Sequence, residues 1–433
     1  MSTKQTIAII GGGAAGLMAS YFAKLNHPDD RVILIEKNTY LGAKVIISGG
    51  GRCNVTTGIK DVKKVLKNYP RGSQFLRTSI YNFSPQSVMD WFESQGVPLK
   101  IEDDLRVFPI SNNGKDIVGA LEDALRGNGV EILLNAQITD IQRSSEQQFE
   151  ITFKTGDKLI SDKLILTTGG NAYRQTGSTG DGYGFAKTLG HSISPLAPSL
   201  SSLHLSENWI HLLSGISFPK AKFTFTQNDI KAERTGAFLF THKGITGPAV
   251  FALSAIVAHQ QFTPENPAKV QIDLLPETNP EQLDLLLQEK FQQNPTKKLV
   301  NVLGFIVPHR MAEQILENLF ELLVNHPKLI KTLEKYNIAQ LFEMTCTNAS
   351  KDLRKAILLI LKNLPLTIIG RSAGEEFVTA GGIPLDEVDP KTMQSKITPG
   401  LFFAGELLDI DGYTGGFNLQ ASWATGTLAG ESV

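Results

Sequence analysis

Three consecutive glycines, Gly49-Gly50-Gly51, run directly into Arg52, Cys53 and Asn54. Glycine loses more conformational freedom on folding than any other residue, so three in a row are costly unless backbone must approach something closely. As a loop laid against a cofactor ring, with the Arg52 guanidinium near a phosphate or a substrate, the run makes chemical sense. A second cluster is Thr241-His242-Lys243-Gly244, where an imidazole that titrates near neutrality sits beside a fixed cation. His242 reads either as an acid–base group or as a solvated loop residue. The only other cysteine is Cys346, far away in sequence. Cys53 therefore reads as a small buried neighbour of the ring rather than half of a redox pair.

The element that must position these groups is the first one. Ile7-Ala8-Ile9-Ile10 is a short buried-type strand, and Gly11-Gly12-Gly13-Ala14-Ala15-Gly16 opens into a helix reading from Leu17 to Lys24. This is G-x-G-x-x-G in the strand–turn–helix context that a dinucleotide-binding turn requires. Gly11 permits the tight turn, Gly13 lets backbone come close to a pyrophosphate, and Gly16 lets the helix lie against the strand. Ala14 and Ala15 complete a helix N-terminus whose free N–H groups and positive dipole end suit phosphates. A second strand, Arg31 to Ile35, ends in Glu36, spaced to accept hydrogen bonds from ribose hydroxyls. Lys37 and Lys44 close the two ends of the turn-rich link that follows, and both join the cofactor set.

Two later stretches repeat the same physics. Lys163 to Thr168 is a buried-type strand ending in Gly169-Gly170, small enough for a turn beside a cofactor. Thr176 to Gly184 follows, with Asp181 as an expected N-cap for a helix from Phe185 to Leu189. Near the end, Gly400 to Ala404 is a strand leading to Gly405 and the acid Glu406. Gly412 to Ala421 then opens a last helix running to about Ala429. Gly415 and Gly416 at its N-terminus aim free N–H groups at negative charge, and Phe417, Asn418, Gln420 and Ala421 line the same turn. Two such sites suit a long cofactor with an anion at each end: a pyrophosphate, and the N1–C2=O edge of a reduced flavin.

The chain between Pro195 and 372 is different in kind. Pro195-Leu196-Ala197-Pro198 marks a composition change, and no dinucleotide pattern follows it. Alternation in Lys222 to Thr226 and Val270 to Leu274 predicts half-buried antiparallel strands. Helical spacing predicts Ala249 to Val257, Gln282 to Phe291, Met311 to Val324 and Ser350 to Leu361. The expected division is 1–195 and 373–433 for a split cofactor domain and 196–372 for an insert of strands, then helices. At 433 residues, two or three domains are the prior. A net charge of −1 argues against nucleic acid or a membrane surface as partner. Two cysteines exclude a disulfide framework or a cysteine-rich metal site, and no metal is expected. No apolar run is long enough to span a bilayer, so the expected location is the cytoplasm.

Gly11 to Gly16 with Glu36, Thr168-Gly169-Gly170 and Gly400 to Glu406 resemble the FAD-dependent oxidoreductases of the glutathione-reductase-like superfamily. The Gly49 to Asn54 loop, Thr176 to Gly184, Thr241 to Pro248 and Gly412 to Ala421 resemble, more narrowly, the BaiN-like or aminoacetone-oxidase-like flavoproteins. That resemblance implies an α/β, Rossmann-like FAD-binding domain split by a substrate-side insert, with Glu406 at the ribityl chain. It implies non-covalent FAD, since Val45 to Asn54 holds no histidine for a covalent link. The expected reaction is hydride transfer between a small organic substrate, an amine or aminoketone, and flavin N5, with oxygen as acceptor. The alternative is an NAD(P)H-dependent reductase of an activated C=C bond, with NAD(P)H docking over the ring because no second G-x-G-x-x-G turn is present. An RNA-modifying flavoprotein or a redox sensor without turnover are the remaining classes. Arg52, His242 and Lys243 are the expected substrate contacts.

Overall fold

The computed structural model describes residues 4–372, 374 and 376–433. The chain divides into two compact units, one running to Leu200 and resuming after Ser372, the other Ser201–Ser372. The expected resumption at Ala373 falls outside the described residues.

The first unit is built on a five-stranded sheet ordered Leu401–Phe403, Lys163–Leu166, Thr6–Ile10, Arg31–Ile35, Glu131–Leu133. Every pair in it is parallel, with Ile9 beside Ile165 and Leu34, and Leu164 beside Leu401. Ile7 to Ile10 and Val32 to Ile35 are buried throughout, the near-continuous apolar run of a parallel strand. The chain leaves Thr6–Ile10 toward one edge and later returns on its other side. The carboxyl end of that strand is thus a switch point, the place where ligands bind in open α/β sheets.

Two helices face each other across glycine. Ala14–Asn26 starts three residues earlier than Leu17, because Gly13 already takes the N-cap position. The last helix, Phe417–Ser432, packs on it so closely that a Cβ on Gly426 would lie 2.3 Å from Ala15 O, and one on Gly430 2.4 Å from Ala19 O. Two three-stranded antiparallel sheets complete the unit. One holds the hairpin Phe149–Phe153 with Lys158–Ser161. Ala197–Ser199 also pairs with Val378–Ala380.

The second unit is a closed barrel of six antiparallel strands, ordered Leu203–Leu205, Gly244–Thr246, Ile230–Phe240, Ser217–Gln227, Ala268–Asp273, Leu364–Arg371. Phe223, Phe225, Val270 and Ile272 alternate inward, as period-two patterning requires. Helices from Pro280–Gln293 to Lys351–Lys362 follow within the insert. The span Met311 to Val324 is not one helix. His309–Glu317 and Leu319–Leu322 meet at Asn318, whose side chain donates to Gln314 O (3.0 Å) and competes with the helical ladder.

Candidate functional site

The glycines of the first turn do different jobs. Gly11 has φ 106°, and a Cβ there would lie 2.6 Å from Thr167 O. A Cβ on Gly16 would lie 1.9 Å from Gly11 O. Both are demanded by packing. Gly13 has φ −85°, and a Cβ on it would meet nothing within 4 Å. Its missing side chain relieves no neighbour in the chain. It keeps open the space ahead of the helix, where first-turn N–H groups lack intrahelical acceptors. Ala14 and Ala15, both buried, form that first turn.

Glu36 is buried at the end of the second strand. Its Oε2 accepts the Gly12 N–H (2.7 Å) and its Oε1 the Asn38 N–H (2.8 Å), so it staples the glycine turn to the following link. Each oxygen keeps a lone pair for a hydroxyl. Lys37 Nζ donates to Thr179 Oγ1 (2.6 Å) and Asp181 Oδ2 (2.5 Å). Asp181 is not the N-cap: Gly180, with φ 84°, holds that position and the helix runs Asp181–Thr188, ahead of the expected Phe185 start. Burial raises the Asp181 carboxyl, but the Lys37 and Thr179 hydrogen bonds outweigh it and hold the group below its usual value.

Lys44, Gly170 and Thr379 come together around the Glu406 carboxylate. Glu406 Oε2 accepts from Lys44 Nζ (2.6 Å), and Oε1 accepts the Thr379 N–H (2.9 Å). A Cβ on Gly170 would lie 2.6 Å from Thr379 Oγ1 and 2.8 Å from Glu406 Oε1. Gly405, with φ 74°, donates its N–H to Thr425 Oγ1 (3.0 Å). The Thr168 hydroxyl is buried with no hydrogen-bond partner.

Gly49, Gly50 and Gly51 have φ of 57°, 73° and 86°, and Cys53 follows at 56°. Gly49 is packed against Asn54 N, whereas a Cβ on Gly50 or Gly51 would meet nothing within 4 Å. Arg52 donates to Glu102 Oε1 (2.8 Å), and its guanidinium carbon lies 3.8 Å from the Phe108 ring centroid. Asn54 Oδ1 accepts the Val107 N–H (3.3 Å). Burial pushes the Cys53 thiol up to about 12, against a hydrogen bond with Ser48 that pulls it down.

At the tail, Gly415 and Gly416 have φ of 121° and 88°, and a Cβ on Gly416 would lie 2.3 Å from Thr56 O. Two amides shape this turn. Asn418 Oδ1 accepts from Gly412 N and its Nδ2 donates to Gly412 O, both at 2.8 Å. Buried Gln420 accepts from Thr56 Oγ1 (2.6 Å) and donates to Phe83 O (2.7 Å). Phe417 O accepts the Tyr69 hydroxyl (2.8 Å), and Ala421 is buried beneath. Tyr69, Glu102, Thr379 and Thr425 have no local signature, because each meets its partner across a long stretch of chain.

His242 and Lys243 belong to the second unit, where both are exposed in the turn between the Ile230–Phe240 and Gly244–Thr246 strands. Thr241 Oγ1 accepts the Gly244 N–H (3.1 Å) and holds that turn tight. Among the described residues no group of His, Cys, Asp or Glu is arranged to hold a metal, and no helix is long and apolar enough to cross a membrane.

The first unit fits FAD on its own geometry. The open space at Gly13, the open backbone at Gly50-Gly51 and the orphaned Thr168 hydroxyl each make sense against a bound group and are wasteful without one. A model of the HI0933-like protein Rossmann domain matches residues 5–432. The 3-dehydro-bile acid delta(4,6)-reductase of Clostridium scindens is 30% identical over 428 residues, covering 99% of this chain and 98% of that protein. The ribosomal RNA dihydrouridine synthase of Escherichia coli K12 is 27% identical over 432 residues, covering 96% and 95%. Among solved structures, the 3-ketosteroid-delta4-(5alpha)-dehydrogenase from Rhodococcus jostii RHA1 aligns with a TM-score of 0.49 at 13% identity, covering 100% of this chain and 97% of that one.

Proposed function

We propose a function from one premise: the chain belongs to the family of the HI0933-like protein Rossmann domain and is an FAD-dependent oxidoreductase. The reaction we infer is reduction of a carbon–carbon double bond conjugated to a carbonyl, with NAD(P)H as donor. The carrying observation is the likeness, over 99% of this chain, to a protein named as a delta(4,6)-reductase. A dihydrouridine synthase also makes a saturated bond from a conjugated one, so two relatives with different substrates share this chemistry. This favours the reductase alternative over the amine or aminoketone oxidation expected from the sequence.

Non-covalent FAD supplies hydride transfer at its N5 when bound. The chain's own residues bind and orient. The N–H groups of Gly13, Ala14 and Ala15 would hold the pyrophosphate, and Glu36 the adenosine ribose. Glu406, steadied by Lys44 and Thr379, would meet the ribityl hydroxyls. The N–H groups at Gly415, Gly416 and Phe417 would face the charge that develops at the pyrimidine edge, a fixed-dipole effect. Arg52, already held by Glu102 and Phe108, is a rigid cation for substrate rather than a mobile one.

The test is anaerobic reduction of the flavin by NADH or NADPH, followed by an enone or by air. Fast bleaching by a nicotinamide and fast return with the enone support the reductase. Bleaching by an amine or aminoketone, with peroxide formed in air, would replace it with the oxidase.

A further inference from the structure

We propose that the segment from Lys60 to Tyr81 carries a docking site for single-stranded RNA. A cavity of about 310 Å³ opens there, lined by Lys63, Lys67, Arg77, Gln74 and Tyr81 over an apolar floor at Leu66. Lys63 and Lys67 are four residues apart along one helical face. Arg77 and Tyr81 are four apart along the next helix, Arg77–Asn82, so the two faces present cations and an aromatic ring to one space. All four side chains are exposed, and the Tyr81 ring is 50% so.

The charge is local and uncompensated. Lys60, Lys63, Lys64, Lys67, Arg71 and Arg77 fall between residues 60 and 81 with a single acid, Asp61, in a chain of net charge −1. Arg71 is taken by Asp411, and Asp61 caps the Val62–Leu66 helix. Among the described residues no carboxylate pairs with Lys63, Lys64, Lys67 or Arg77, whereas Arg52 and Arg106 nearby in sequence both reach Glu102.

A lone phosphate would use two or three of these cations. Lys60 and Lys64 are exposed outside the cavity lining, so the positive surface continues past it. Cations that track a backbone, with an exposed aromatic face between them for a base, are the features of single-strand binding. An anionic membrane would need the charge but not the cavity or the ring. The inner face of the same segment is bonded to the tail turn: Asn68 O accepts the Tyr413 N–H (2.9 Å), and the Tyr69 hydroxyl reaches Phe417 O. A strand held outside is thus held on the segment that braces the turn assigned to the flavin. A pyrimidine base carries a ring double bond conjugated to a carbonyl; this use of the site, though not the binding, rests on the reductase reading.

The test is fluorescence anisotropy of a labelled oligouridylate with the flavin-loaded protein, titrated across salt concentrations without turnover. Affinity should fall with salt. Lys63→Ala/Lys67→Ala/Arg77→Ala should weaken binding about tenfold and reduce the slope of log K against log salt by about 2, near 0.7 for each phosphate that goes without its cation. Tyr81→Leu should weaken binding about tenfold with the slope unchanged. The ratio of flavin to protein absorbance reports folding; if the triple variant loses flavin, Lys67→Gln alone should lower the slope by about 0.7. Absence of RNA binding, or unchanged affinity and slope in these variants, overturns the proposal. So does competition by uridine monophosphate or NADPH at equal nucleotide concentration, which marks a small-ligand pocket. Loss of binding to phosphatidylserine vesicles with RNA binding kept would assign the surface to a membrane instead. Because nothing is turned over, failure of the reductase assay leaves this result standing.

Discussion

Lys44 Nζ lies 2.6 Å from Glu406 Oε2, although 362 residues separate the two in the chain. The pair joins the link after the second strand to the end of the last one, and both side chains are only partly exposed. Lys44→Met should weaken FAD binding about tenfold by leaving the carboxylate one partner short, and Glu406→Gln should do likewise. In the double variant the losses should fall short of their sum, with a coupling of about 1 kcal/mol. Flavin titration of the apoprotein reads this directly, and strictly additive losses would show that the pair does not act as a unit.

Gly13 and Gly16 should fail in opposite ways. Gly13→Val places its side chain in open space, so the apoprotein should melt near the wild-type temperature yet retain no FAD. Gly16→Val drives a Cβ to within 1.9 Å of Gly11 O and should cost several kcal/mol of stability, roughly the scale of overpacking. Calorimetry beside the flavin absorbance separates the two. FAD retained in the Gly13 variant would remove the pyrophosphate from that cradle.

Cys53 should behave as packing. Its thiol is fully buried and pushed up to about 12, so almost no thiolate exists near neutral pH. Iodoacetamide should leave it unmodified in the native protein. Cys53→Ser should keep both flavin and turnover; turnover lost with flavin retained would make the thiol a participant.

His191 gives the first unit an acid-labile tie. Its Nδ1 lies 2.8 Å from Glu387 Oε2 and its Nε2 2.8 Å from Ser395 Oγ. Burial lowers its pKa, and the neighbouring Glu387 does not lift it back. A histidine lowered in the folded state favours folding in its neutral form. That contribution is whole above about 6.5, the ordinary imidazole value, and declines as pH falls below it. The melting temperature should be level from mildly alkaline to neutral pH and then drop, and His191→Gln should melt lower but with a flatter profile. An unchanged slope in that variant would place the sensitivity in other groups.

Replacing His242 and Lys243 by alanine should leave FAD content unchanged, since both side chains stand exposed on a turn of the barrel, outside the unit assigned to the flavin. If the insert supplies substrate contacts, turnover should fall about tenfold or more. Kinetics equal to wild type would move the substrate side elsewhere.

The strand–turn–helix at Ile7, the glycine turns at Gly169 and Gly415, and the alternating strands of the insert are visible in sequence because each is a local pattern. What closes them is not. Asp181 reads as a cap, but Lys37, far away in sequence, draws its carboxylate aside and Gly180 takes the end. Asn418 and Gln420 look like cofactor donors from their spacing; Gly412, Thr56 and Phe83 claim their amides. Near-neutral net charge argues against nucleic acid, yet an average over 433 residues conceals six cations gathered within 60–81. Sums over a chain are blind to clustering.

The packing of Gly426 and Gly430 on Ala15 and Ala19 also sets a timetable. The helix Ala14–Asn26 finds its partner only in Phe417–Ser432, and the strand at Leu401 joins the sheet only after the whole insert has been made. The barrel of Ser201–Ser372 is continuous in sequence and waits for nothing beyond it. On the ribosome the middle of this protein can therefore finish before its beginning. The side of Ala14–Asn26 that meets the Phe417–Ser432 helix meanwhile stays uncovered until that helix has been made, so the two glycine turns assigned to the flavin come together late.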